Sequence, residues 1–295
     1  MERIDVLICT FRRRQLRATI QSVLDADVPD GFEVRITVVD NDDEPTAAPH
    51  IQDLPDHLRR PIRFIHAPGS NISIARNACL DAADSPWIAF IDDDEIADND
   101  WLNELVNRQR DTGVDGIFGV TKSIFAPDAP QWMRELQLHA PGPQRNKDTV
   151  KTGGAGNVLL RWQGAPWQGE RFDVARGKTG GEDTEFFYRL GRLGARFEIA
   201  PDAIVREPVT PERQSFRWLA RRRFRVGQTY VVSVDGSGER LGLALRALLK
   251  AAFSFLATVL FFWNPTKWRY WYLRGVFHSG VVAGCLNIAE RESYG

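Results

Sequence analysis

The stretch Trp87-Ile88-Ala89-Phe90-Ile91-Asp92-Asp93-Asp94-Glu95 decides the reading of this chain. Five consecutive apolar residues without polar alternation describe a strand buried on both faces, as in a parallel sheet covered by helices. Four acids follow at once. Neighbouring carboxylates repel and raise one another's pKa, so such a run at a strand tip is costly unless a cation neutralises it. Hard divalent cations such as Mg²⁺ take oxygen ligands, usually one or two carboxylates together with substrate phosphates. Asp92 and Asp94 stand two apart and in extended chain project to the same side, which makes them a candidate pair for one ion. The plain alternative is a solvated acidic turn ahead of a helix near Asn99; the buried strand in front favours function.

Working outward towards the N-terminus, residues 4–9 form another apolar run, and Leu16, Ile20, Val23 and Leu24 then recur at helical spacing. Residues 34–39 and 62–65 read as further strands and residues 72–83 as a helix. Alternating strands and helices of this kind predict an α/β fold with a mainly parallel sheet, whose ligands sit beyond the carboxyl ends of the strands. Three of those ends are polar: Thr10, then Asp40-Asn41-Asp42-Asp43, then the acidic run.

Towards the C-terminus the alternation becomes irregular after about residue 110, where Pro127, Pro130, Pro141 and Pro143 punctuate a stretch with no clear period. Gly153-Gly154-Ala155-Gly156-Asn157 opens a short strand, Gly180-Gly181-Glu182-Asp183 opens a helix to about Leu193, and residues 196–205 read as a strand. Residues 214–226 form a basic helix candidate carrying Arg217, Arg221, Arg222, Arg223 and Arg225. The glycines permit close approach of a ligand to the backbone, and a tight turn explains them equally well. A charge run is most often a solvated face.

Lys plus Arg (38) balances Asp plus Glu (39), which excludes a global field of the kind that recruits nucleic acid. Cys9, Cys79 and Cys285 form no CxxC pair and read as reduced thiols. The N-terminus runs directly into a strand without a secretion signal, so a cytoplasmic location is expected. Residues 251–263 are the longest uninterrupted apolar segment, short for a membrane span. They are followed by Lys267, Trp268, Arg269, Tyr270, Trp271, Tyr272 and Arg274, a mixture suited to lipid headgroups. The expectation is a monotopic tail on a membrane surface, at the inner face of the plasma membrane; a hairpin packed on the domain or at an oligomer interface is the alternative.

A P-loop reading of Gly177-Lys178-Thr179 fails, because the first glycine of that loop would fall at Phe172. The set Cys9-Thr10-Phe11-Arg12, Val38-Val39-Asp40-Asn41, Ala75-Arg76-Asn77, Ile91-Asp92-Asp93-Asp94 and Gly181-Glu182-Asp183 instead resembles glycosyltransferase family 2, in order as well as in kind. The similarity covers roughly residues 3–230. The segment from Glu207-Pro208 through Arg221 to Gly227-Gln228 further resembles bacterial exopolysaccharide members of the succinoglycan glucosyltransferase type.

That resemblance implies a GT-A fold and an inverting transfer of a hexose, glucose by the closer likeness, from a UDP-sugar to a carbohydrate acceptor hydroxyl on a lipid-linked exopolysaccharide intermediate. It implies that Thr10 and Asp40 hold uracil and ribose, with Arg12, Arg76 and Gly156 along the nucleotide-sugar site. Asp92 touches ribose or metal, Asp93 belongs with it to the nucleotide-sugar site, and Asp94 coordinates Mg²⁺ or Mn²⁺ bridging the diphosphate. Family relatives often place a metal-contacting histidine after the Glu-Asp helix; here Glu207 stands in that neighbourhood as a candidate ligand. Asp183, beside Glu182, is the candidate base, against the plain reading of an acid favoured by a helix N-terminus. Trp132, Trp162 and Trp167 are candidate stacking faces for sugars or ordinary core residues.

The expected organisation is a catalytic domain over residues 1–205, a basic helical segment over 206–240 that closes the site, and an apolar tail over 241–295. Two rival classes remain. A sugar nucleotidyltransferase should carry a glycine-rich loop after the first strand, where this chain has Cys9-Thr10-Phe11-Arg12-Arg13-Arg14. A non-catalytic carbohydrate- or metal-binding protein at the membrane has no use for the Glu-Asp pair.

Overall fold

The computed structural model describes residues 1–52, 54, 62–140, 142–146, 149–234 and 236–288. Its strands are β1 (Glu2–Thr10), β2 (Phe32–Asp40), β3 (Ile62–His66), β4 (Trp87–Ile91), β5 (Ile96–Ala97), β6 (Gly116–Ile124), β7 (Gln144–Asn146), β8 (Thr149–Thr152), β9 (Asn157–Arg161) and β10 (Phe197–Pro208). The helices are α1 (Leu16–Asp25), α2 (Ala48–Gln52), α3 (Ile72–Ala82), α4 (Trp101–Thr112), α5 (Gln131–Leu136), α6 (Glu182–Arg192), α7 (Phe216–Thr229), α8 (Ser237–Leu260) and α9 (Pro265–Cys285). The described residues divide into two compact units, one within 1–122 and 142–207, the other within 123–140 and 208–288.

The first unit holds a mixed sheet in the order β3-β2-β1-β4-β9-β6-β10-β5. β3, β2, β1 and β4 run parallel, and β9 reverses direction against β4, pairing Ile91 with Asn157. Side-chain alternation sends Val6, Ile8, Ala89 and Ile91 to one face, where they pack with Leu16, Ile20, Trp101 and Leu105. Leu7, Cys9, Ile88 and Phe90 face the other way, against Cys79, Phe186 and Phe187. Both faces are therefore covered, which is why these strands read as unbroken apolar runs. Cys9 and Cys79 meet there as buried free thiols with sulfurs 3.5 Å apart. Trp162 and Trp167 belong to this second core, 1% and 2% exposed, and offer no face to a sugar.

The helix boundaries follow local chemistry. Asn71 caps α3 by accepting from the Ser73 and Ile74 amides. Gly181, in the left-handed region at φ 84°, turns the chain into α6.

In the second unit Ser215 caps α7, Asn264 caps α9 with Pro265 at its first position, and α9 packs against both α7 and α8. The apolar segment is longer in the structure than its uninterrupted stretch indicates. Arg246 and Lys250 continue the helix, so that α8 runs 24 residues and is long and apolar enough, by length and composition, to cross a membrane. Ala247, Ala251, Ser254 and Ala257 form its buried side, while Leu241, Leu245, Leu249, Phe253, Leu256 and Leu260 remain exposed.

Candidate active site

The carboxyl ends of β1 and β2 lie side by side, with Thr10 paired to Asp40 in register. Asp40 is fully buried and its two carboxylate oxygens accept from the amides of Asp42 (3.0 Å) and Ala47 (2.7 Å). It thereby fixes the shape of the loop that leaves β2. Arg12 has φ 54° and reaches across to Asp42, with Nε and Nη2 at 2.9 and 2.8 Å from Oδ1. Hydrogen bonds from Arg12 hold the Asp42 carboxyl down at about 2. Asp42 is thus a member of this corner that the sequence reading left in the loop without a role.

At the neighbouring strand end, β4 delivers its acids beside Arg76 of α3. Arg76 is 5% exposed; its Nη1 donates to Glu182 Oε1 at 2.5 Å, its Nη2 stands 3.5 Å from Asp92 Oδ1, and its guanidinium lies 5.4 Å from the Phe172 ring centre. A helix-surface arginine, the plain alternative for Ala75-Arg76-Asn77, is ruled out by that burial. Despite the desolvation that works against it, the Arg76 charge is reinforced by Glu182 and Asp92. It ties the tip of β4 to the first turn of α6, segments 90 residues apart in sequence.

The acids pay for their crowding. Burial, with Asp94 and Asp183 nearby, raises Asp92 against the pull of Arg76. Burial pushes Asp93 up to about 7 although Arg13 opposes it, with Nε 3.3 Å from Asp93 Oδ1 and Nη2 3.5 Å from Asp94 Oδ2. Glu95 is 4% exposed and held well above the usual carboxylate range, first by burial and then by Asp92 and Glu207. It accepts from the Asp92 amide at 3.2 Å and from Thr121 Oγ1 at 2.9 Å. The antiparallel register of β10 with β5, Val205 to Ala97 and Arg206 to Ile96, brings Glu207 opposite Glu95 when continued one step. Glu207 therefore joins the acidic group through Glu95, a residue whose part in the site the sequence reading did not single out.

The loop between β8 and β9 completes the site. A Cβ on Gly156 would lie 2.8 Å from Asp92 Oδ2 and 3.1 Å from Glu95 Oε2, and one on Gly154 would lie 3.4 Å from Asp183 Oδ2. A side chain at 156 would press on those carboxylates, and they would have to shift to admit it. Asp183 stands in the first turn of α6, its Oδ1 accepting from the Thr184 amide at 2.6 Å. Glu182 is buried on Arg76, and burial followed by the charge of Asp183 pushes its carboxyl up to about 7. Among the described residues its buried Oε2 has no hydrogen-bond partner.

Among the described residues no three His, Cys, Asp or Glu side chains are arranged to hold a metal ion by themselves. The chemistry of the donor set nevertheless fits a cation that takes one or two carboxylates and completes its shell with phosphate oxygens. Asp92 and Asp94 would be its carboxylates; burial first, and neighbouring acids after it, raise Asp92, Asp93 and Glu95.

An α/β sheet with an acidic strand tip, a glycine loop beside it and a Glu-Asp helix start is the arrangement of a GT-A-like glycosyltransferase. The chain belongs to glycosyltransferase family 2: the model of "Glycosyl transferase family 2" matches residues 5–161. A curated relative, the succinoglycan biosynthesis protein ExoM of Rhizobium meliloti (strain 1021), is 40% identical over 296 residues, covering 99% of this chain and 96% of its own. The fold is shared with the mannosyltransferase PcManGT of Pyrobaculum calidifontis, solved in complex with GDP-Man and Mn²⁺, at TM-score 0.67, 15% identity, and 98% and 88% coverage of the two chains. It is also shared with S. aureus TarS 1-349 in complex with UDP, at TM-score 0.54, 15% identity, and 94% and 90% coverage. The family match places the chain among glycosyltransferases and removes the nucleotidyltransferase and pure-binding readings.

Proposed function

We propose that this chain transfers a hexose, glucose in our reading, from a UDP-sugar to an acceptor hydroxyl on a lipid-linked exopolysaccharide intermediate, with inversion at the anomeric carbon and with Mg²⁺ or Mn²⁺ bound. One observation carries the chemistry: a single glycine loop has Asp92 at Gly156 and Asp183 at Gly154, so the diphosphate-side acid and the base-side acid flank the same bare stretch of backbone. The ExoM relative, a succinoglycan biosynthesis protein, supports the exopolysaccharide assignment, and the UDP and GDP-Man complexes of the structural neighbours support a nucleotide donor.

In this reading the corner of Thr10, Arg12 and Asp40 receives uracil and ribose, with Asp40 acting through the loop it shapes. Asp92 and Asp94 would hold the metal, with Asp93 beside them on Arg13 and Glu207 behind, near Glu95. Bound there, the ion supplies Lewis-acid stabilisation of the departing diphosphate. Asp183 takes the proton of the acceptor hydroxyl as that oxygen bonds to the anomeric carbon; the carbon–phosphate oxygen bond breaks and its electron pair leaves with UDP. Glu182 keeps Arg76 in place beside the nucleotide.

The exposed apolar side of α8, followed by Phe262, Trp263, Lys267 and Arg269, rests on the inner face of the plasma membrane. Asp183→Asn tests the chemistry: UDP binding by calorimetry stays within about twofold of wild type, and transfer falls by at least about 10²-fold. Near-normal turnover in that variant assigns the base elsewhere.

A further inference from the structure

The two arginines at the acidic tip of β4 are not equivalent. Arg76 is sealed between Glu182, Asp92 and Phe172. Arg13 lies on the segment after β1 with 36% of its side chain exposed, and it spans Asp93 and Asp94 at 3.3 and 3.5 Å. Those distances are longer than those of a tight charge-assisted pair, and an exposed long side chain exchanges readily between partners. A guanidinium serves carboxylates and phosphates with the same donor fork.

From this we infer that Arg13 is a stand-in counter-ion: in the donor-free enzyme it neutralises the acidic tip and opposes entry of a metal alone, and it transfers to the diphosphate when nucleotide and metal enter together. The inference rests on the metal-dependent reading above and adds to it a positioning residue that couples the two ligands. A divalent ion arriving alone meets the Arg13 charge beside its own carboxylates, whereas an ion arriving with a diphosphate brings the group that draws Arg13 away. Metal and nucleotide thereby each favour the other's binding, with the coupling equal in both directions.

The test is calorimetry on the full chain with MnCl₂ alone, with UDP alone and with both, for wild type, Arg13→Gln, Arg13→Ala and Arg13→Lys, each with its melting temperature. Wild type is expected to bind Mn²⁺ weakly alone and at least about tenfold more tightly with UDP. Arg13→Gln and Arg13→Ala bind Mn²⁺ alone about tenfold more tightly than wild type and lose most of the coupling, from removal of a like charge near the ligands. Arg13→Lys, which keeps the charge, stays close to wild type for Mn²⁺ alone. If wild type shows coupling and both neutral variants bind Mn²⁺ alone no better than it does, the counter-ion role is wrong while the metal-dependent reading stands. If wild type shows no coupling of Mn²⁺ to UDP, the metal-dependent reading fails and the Arg13 role fails with it. Melting temperatures within a few degrees of wild type establish that the neutral variants report on the site; the partial exposure of Arg13 makes that the expected result.

Discussion

Asp93→Asn measures what the acidic tip costs the fold. Asp93 is 7% exposed, and burial displaces its carboxyl from 3.8 to about 7, with Arg13 opposing and Asp94 adding to the effect. Because the folded pKa lies above the unfolded one, the folded chain keeps a proton that the unfolded chain releases between about pH 4 and pH 7. The associated stability is fully present below about pH 4 and is lost as the pH rises through 7. A displacement of about three pH units corresponds to roughly 4 kcal/mol at pH 8, a large share of a domain's usual 5–15 kcal/mol. Asparagine cannot ionise and so escapes this loss, while giving up part of the ion pair with a partly exposed Arg13. The expected result is a variant more stable than wild type by roughly 2–4 kcal/mol at pH 8, with the difference closing towards pH 4.5. Urea unfolding of both proteins at pH 4.5, 6, 7 and 8, followed by tryptophan fluorescence, reads this directly. A pH-independent difference, or a less stable variant at pH 8, refutes the reasoning that burial of an ionised Asp93 is what the site endures.

Other perturbations probe the remaining parts of the site. Arg76→Met strands the buried Glu182 without its cation and is expected to cost about 3–5 kcal/mol at pH 8, less at pH 5 where that acid takes up a proton; a pH-independent loss in urea unfolding argues against the ion-pair origin. Gly156→Ala places a methyl 2.8 Å from Asp92 Oδ2 and should raise the donor KM at least about tenfold, and an unchanged KM means that Asp92 is not held by that loop. Leu249→Glu with Phe253→Glu, at positions 71% and 61% exposed, should leave the melting temperature within a few degrees and abolish flotation with anionic liposomes; flotation equal to wild type removes α8 from the membrane contact.

Much of the N-terminal half was legible without coordinates because a parallel strand buried on both faces leaves an unbroken apolar run and its end must be polar. The runs before Thr10, Asp40 and Asp92 each end where β1, β2 and β4 end. Helix starts were legible where one residue carries the signal, as Gly181 does before α6. The long irregular region was not, since residues 123–140 join the second unit through packing that no local period encodes. Trp162 and Trp167 were equally ambiguous, because indole serves a core and a sugar alike, and only burial separates the two uses.

By itself, then, the sequence determined which residue types stand at the strand ends, since backbone periodicity and burial are local constraints written along the chain. Only the tertiary structure decided who neutralises whom. That Arg76 joins Glu182 to Asp92, that Arg13 spans Asp93 and Asp94, that Asp40 is spent on its own loop and that Glu95 mediates the approach of Glu207 all follow from strand register and helix docking. Electrostatic pairing depends on distances of a few ångströms between segments tens of residues apart, and spacing along a chain does not specify those distances.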